Sequence, residues 1–75
     1  MDAKAPALLR SPADIGQMAR ERRKALGLTI HQLSDLSGLS LGFIVDMEKG
    51  KATSAIGKVL HALGILGIDL AGTIR

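Results

Sequence analysis

A chain of 75 residues without cysteine has no disulfide framework and no thiolate metal site, and it leaves room for one domain with a small core. Hydrophobic residues make up 47% of the chain, yet Phe43 is its sole aromatic, a composition that suits packed helices and not a β-sandwich. The net charge of +3 is compatible with a nucleic-acid partner without establishing one, and so small a core points to a partner subunit for added stability.

The start MDAKAPALLR is acidic at once and carries too short an apolar run for a secretory signal. The uncharged stretch 59–68 is far too short to span a bilayer, so a cytoplasmic protein with no membrane partner is expected. Residues 1–10 read as a flexible tail, because Pro6 and the lack of a helical period argue against a helix. Lys4 and Arg10 could still touch phosphate, and Leu8 and Leu9 could dock on the body. Ser11 then caps a first helix, with Pro12 at its first position and Asp14 in its first turn. Ile15, Met18, Ala19, Arg22 and Leu26 follow at helical spacing, and Gly27 ends the helix. Arg20, Arg22, Arg23 and Lys24 form a basic run opposed by Glu21, ordinarily a solvated face.

Residues 29–50, TIHQLSDLSGLSLGFIVDMEKG, predict two short helices joined by a tight turn. Thr29 and Gln32 make a capping box for the first of them. Gly38 supplies the left-handed residue at its end, Ser40 caps the second helix, and Gly50 stops it. Leu33, Leu36, Leu39, Ile44 and Met47 are the apolar set, and Ser34 is small where two crossing helices approach. This is the pattern of a helix-turn-helix, with an ordinary helical hairpin as the bland alternative. Thr53 or Ser54 caps a fourth helix, whose inward positions are Ile56, Val59, Leu60 and Leu63, and Gly64 ends it.

In the last segment Leu66, Ile68 and Leu70 alternate with Gly67, Asp69 and Ala71, the period of a strand. A fifth helix is the other possibility, against which the glycines argue. A lone strand cannot stand, so it would pair with the same strand of a second chain, making Leu66, Ile68 and Leu70 a homodimer interface. The expected architecture is all-α: a compact four-helix DNA-binding domain over 11–65, with a short dimerisation strand and tail over 66–75. Catalysis is not expected. His31 and His61 have no carboxylate or second histidine at ligand spacing, no phosphate-cradling glycine motif occurs, and neither cofactor nor metal is implied.

With these helices in hand, the chain resembles the lambda-repressor/Cro-like family, also called XRE, over roughly residues 12–65. The matching residues are Ile15-Gly16, Arg23, Gly27-Leu28-Thr29, Leu33, Ser34, Gly38, Ser40, Ile44, Glu48-Lys49-Gly50-Lys51 and Leu63-Gly64-Ile65. The Ser-Pro start, the run from helix four into a strand and the short length are most similar to one branch, the HipB-type antitoxins that partner HipA-type kinase toxins. That resemblance implies a homodimer that represses its own operon and holds a kinase-like toxin inactive. It also implies a partly buried Arg23–Glu48 ion pair, which orients the third helix against the first.

By the same resemblance, the third helix enters the major groove of operator DNA and presents Ser40, Leu41, Gly42, Val45 and Asp46, with Phe43 beside them. The set contains no Gln, Asn or Arg, the residues that grip adenine or guanine in bidentate fashion. Leu41 and Val45 can touch only thymine methyls, and Asp46 could accept from cytosine N4. Phe43 could stack, wedge or cover the turn. Phosphate contacts are implied for Thr29, Lys49, Lys51, Thr53 and Ser54, with Ala55 and Lys58 nearby. Ile30 stands where relatives commonly have a phosphate-gripping glutamine. Two other functions remain open: an XRE-like protein-interaction adaptor with weak or no DNA binding, and a stand-alone phage-type repressor.

Overall fold

The computed structural model describes residues 7–51 and 55–75, which form four α-helices. They are α1 (Pro12–Ala25), α2 (Ile30–Ser37), α3 (Leu41–Glu48) and α4 (Ile56–Ile65). α3 packs against α1 and α2, and α4 packs against α2. None of these helices is long and apolar enough to cross a membrane.

Local chemistry fixes each helix start. The Asp14 amide donates to Ser11 Oγ at 3.1 Å, with Pro12 at the first position, where a missing N–H costs nothing. At α2 the capping box is complete: the Gln32 amide donates to Thr29 Oγ1 at 3.0 Å, and the Thr29 amide donates to Gln32 Oε1 at 2.8 Å. The Phe43 amide donates to Ser40 Oγ at 3.1 Å and begins α3. Ala55 holds the N-cap position of α4, while the caps expected at Thr53 or Ser54 lie outside the described residues.

The ends of α1, α3 and α4 follow one device. After α3 the Gly50 amide donates to the Met47 carbonyl and the Lys51 amide to the Asp46 carbonyl, the paired bonds of a Schellman motif. After α4 the pattern recurs around Gly67, whose amide donates to the Gly64 carbonyl while that of Ile68 donates to Leu63. Gly67, with φ +74°, is therefore the left-handed terminator, and Gly64 is an interior residue of α4 and not its end.

The core consists of Ala19, Leu33, Ile44, Met47, Val59, Ala62, Leu63 and Leu66. Its composition corrects several inward assignments. Val59, Ala62 and Leu63 of α4, with its C-cap Leu66, form a buried stripe at i, i+3, i+4 and i+7, whereas Ile56 and Leu60 face solvent. Leu26 and Leu36 are exposed as well, and α1 buries Gly16, Ala19 and Arg23.

The C-terminal strand is also corrected. Among the described residues no strand forms, and 66–75 continue as irregular backbone after the Gly67 turn. Leu66 is 1% exposed, and Ile68 packs against the same core, so two of the three residues assigned to a dimer interface are spent inside the subunit. Arg22 holds the segment in place, its Nε donating to the Leu66 carbonyl at 2.9 Å. Leu70 alone of the three stays exposed.

Gly16 sets how closely α1 can lie on α3. A Cβ there would collide with the Met47 carbonyl oxygen and stand 2.8 Å from that of Glu48. Both obstacles are backbone and cannot swing away. Gly16→Ala is expected to destabilise the fold by about 1–3 kcal/mol despite the better helix propensity of alanine, measured as a lower urea midpoint.

Candidate nucleic-acid interface

The position of α3 is fixed by one charged contact and by the tethered turn before it. Arg23 Nε donates to Glu48 Oε2 at 2.7 Å, and a second guanidinium nitrogen donates to Oε1 at 3.0 Å. The third donor goes to the Leu28 carbonyl at 2.8 Å, so the guanidinium binds α3 and the α1–α2 loop together. The two side chains are 8% and 6% exposed, which makes this a buried bidentate pair. The bonds to Glu48 raise the Arg23 pKa above its ordinary value, against the opposing pull of burial. Charge on the arginine therefore persists across any working pH.

The α2–α3 turn passes through Gly38 at φ +73°. Ser34 Oγ donates to the Leu39 carbonyl at 2.6 Å, bracing the small-residue crossing. Ser37 Oγ donates to the Leu33 carbonyl at 2.7 Å and accepts from the Leu39 amide at 3.2 Å. From α4, His61 Nε2 lies 2.8 Å from the Ser37 carbonyl; a carbonyl can only accept, so Nε2 carries the proton. Nothing in the sequence pattern pointed to these roles of Ser37 and His61, because a side chain that bonds to backbone leaves no spacing signature.

The geometry of α3 places Gly42, Val45, Asp46 and Lys49 on one face, at i, i+3, i+4 and i+7, opposite buried Ile44 and Met47. Gly42 and Lys49 are exposed at the middle of that face, Val45 and Asp46 are half-buried, and Leu41 is 38% exposed beside Val45. Ser40 is exposed at the start of the helix. Asp46 is paired: Lys51 Nζ lies 3.2 Å from its Oδ1, with both side chains at least half exposed. Phe43 turns aside, half-buried against the core, with the Lys58 ammonium 5.9 Å from its ring centroid. Of the roles open to Phe43, covering the turn is the one this position serves.

The rim carries Lys49, Lys51 and Lys58, all exposed. Thr29 is exposed, but its amide is taken up by the capping box, which leaves the hydroxyl proton as its free donor. Thr53 and Ser54, the other phosphate contacts expected, lie outside the described residues. Ile30 is half-buried and packs against the core, consistent with an apolar residue in place of a polar one.

Comparison with known proteins agrees with this geometry. The family model described as helix-turn-helix matches residues 20–72. An uncharacterized HTH-type transcriptional regulator of Sinorhizobium fredii, y4mF, is 45% identical over 62 residues, covering 83% of this chain and 82% of that protein. The crystal structure of the restriction-modification controller protein C.AhdI from Aeromonas hydrophila superposes with a TM-score of 0.67 at 31% identity, covering 77% of this chain and 84% of that one.

Proposed function

Because the chain belongs to the helix-turn-helix family of DNA-binding transcription regulators, we propose that it is a small repressor that docks α3 in the major groove of operator DNA as a homodimer. The observation that carries this reading is the face of α3 bearing Gly42, Val45 and Lys49. Gly42 and Lys49 are exposed on it and Val45 is partly so, and the Arg23–Glu48 pair holds it at a fixed angle. The same helix carries the DNA-facing residues of the reading: Ser40, Leu41, Gly42, Val45 and Asp46, flanked by Lys49 and Lys51.

Two features support the homodimer. The core is small, and Ile56 and Leu60 remain exposed one turn apart on α4, apolar surface that a second copy would bury. Two protomers would set their α3 helices roughly 34–36 Å apart, on half-sites one DNA turn apart. The narrower reading, an antitoxin to a HipA-type kinase toxin, draws support from the Ser11-Pro12 start and has lost the C-terminal strand. The likeness to C.AhdI supports a stand-alone small regulator instead. A protein-interaction adaptor is the second reading, favoured by the absence of Arg, Asn and Gln from the outward face of α3.

The discriminating experiment is a mobility-shift titration on duplex DNA from upstream of the chain's own reading frame. A discrete complex that survives excess competitor DNA is expected. No complex at low salt, together with a protein partner recovered by α3, would replace the repressor with the adaptor.

A further inference from the structure

The outward face of α3 determines what chemistry a DNA site must offer it. Of the side chains there, Asp46 is engaged by Lys51 at 3.2 Å, and Phe43 is turned away under Lys58. Lys49 lies at the C-terminal end of α3 and Ser40 caps its start; between them Leu41 and Val45 remain, one turn apart on the same edge of the helix, and neither can donate or accept a hydrogen bond.

Gly42, beside them, has no internal reason to be glycine. Its φ is not positive, and a Cβ there would meet nothing within 4 Å. A helical glycine forgoes helix propensity relative to alanine, so α3 is left without a side chain at a point where the chain itself has room for one. Its place at the middle of the exposed face means that the helix backbone can come closest to a partner surface there. The lysines 49, 51 and 58 around that face fit a polyanionic partner and not an apolar one.

Resting on the repressor reading above, we infer that this protein selects its operator by thymine C5-methyl groups. Leu41 and Val45 touch these methyls, while Gly42 lets α3 sit deep enough in the groove to reach them. The major groove of an A·T pair exposes that methyl, and apolar side chains are its natural contact. Specificity then follows the position of thymines and not hydrogen bonds to guanine or adenine.

The test selects binding sites from a randomised duplex library and resynthesises the winning duplex with deoxyuridine for thymine, removing only the methyls. Each contacted methyl is expected to contribute about three- to fourfold in affinity, so a symmetric pair contributes roughly tenfold. In the Leu41→Ala, Val45→Ala double variant the thymine and uracil duplexes should bind alike. Gly42→Ala should weaken binding while leaving the thermal midpoint unchanged or raised. Equal affinity of the wild type for thymine and uracil duplexes would overturn the inference and leave the repressor standing. Failure to enrich any duplex at low salt would overturn both.

Discussion

Arg23→Met is expected to destabilise the domain by roughly 3–5 kcal/mol, because it leaves Glu48 buried without its partner. A domain of this length has about 4–11 kcal/mol of stability in all, so the variant should be largely or partly unfolded at growth temperature. The Leu28 carbonyl loses its guanidinium donor in the same change, loosening the α1–α2 loop. Glu48→Leu leaves the opposite orphan, a buried guanidinium, and should cost a similar amount. Replacing both, as Arg23→Met with Glu48→Leu, should recover most of the loss, since two apolar side chains leave no unpaired charge. Chemical denaturation of the four proteins closes the cycle. The double variant should still bind DNA less well than the wild type, because the pair orients α3. If Arg23→Met alone cost under about 1 kcal/mol, the pair would be behaving as a surface contact.

How far the sequence carried this fold depends on which signal each element left. Caps are local, and Ser11, Thr29, Gln32 and Ser40 all form the bonds their positions suggest. The Arg23–Glu48 contact links residues far apart in the chain, and only the family resemblance pointed to it. Burial phase was harder. On α4 Ile56, Val59, Leu60 and Leu63 fall at spacings that one helical stripe can hold, so spacing alone does not separate exposed Ile56 and Leu60 from buried Val59 and Leu63, and small Ala62 carries little signal. The alternating pattern at the C-terminus gives no strand for a related reason. Leu66 and Ile68 do point the same way, as an alternating pattern requires, but they point into their own subunit. The chain had turned at Gly67, bringing Ile68 over Leu63 in the apolar contact that accompanies a Schellman end. Gly64 has the residue type of a helix stop but not the left-handed conformation, which falls to Gly67.

Duplex binding is expected to be steeply salt-dependent. Lys49 and Lys51 lie at the C-terminal end of α3, Lys58 lies on α4, and Thr29 caps α2. In a dimer these groups would meet about 6–10 phosphates, whose neutralisation releases counterions and lowers affinity by some 10³–10⁵ between 50 and 200 mM salt. Lys51 also holds Asp46, so salt that weakens the phosphate contact weakens that pair too.

The most direct measurement compares the slope of log affinity against log salt for the wild type with that for Lys49→Gln and Lys51→Gln. The wild-type slope should be steep, and each substitution should flatten it by about two per dimer, one phosphate in each half-site. A shallow wild-type slope, or one that neither substitution changes, would mean that this edge of α3 does not lie against a duplex.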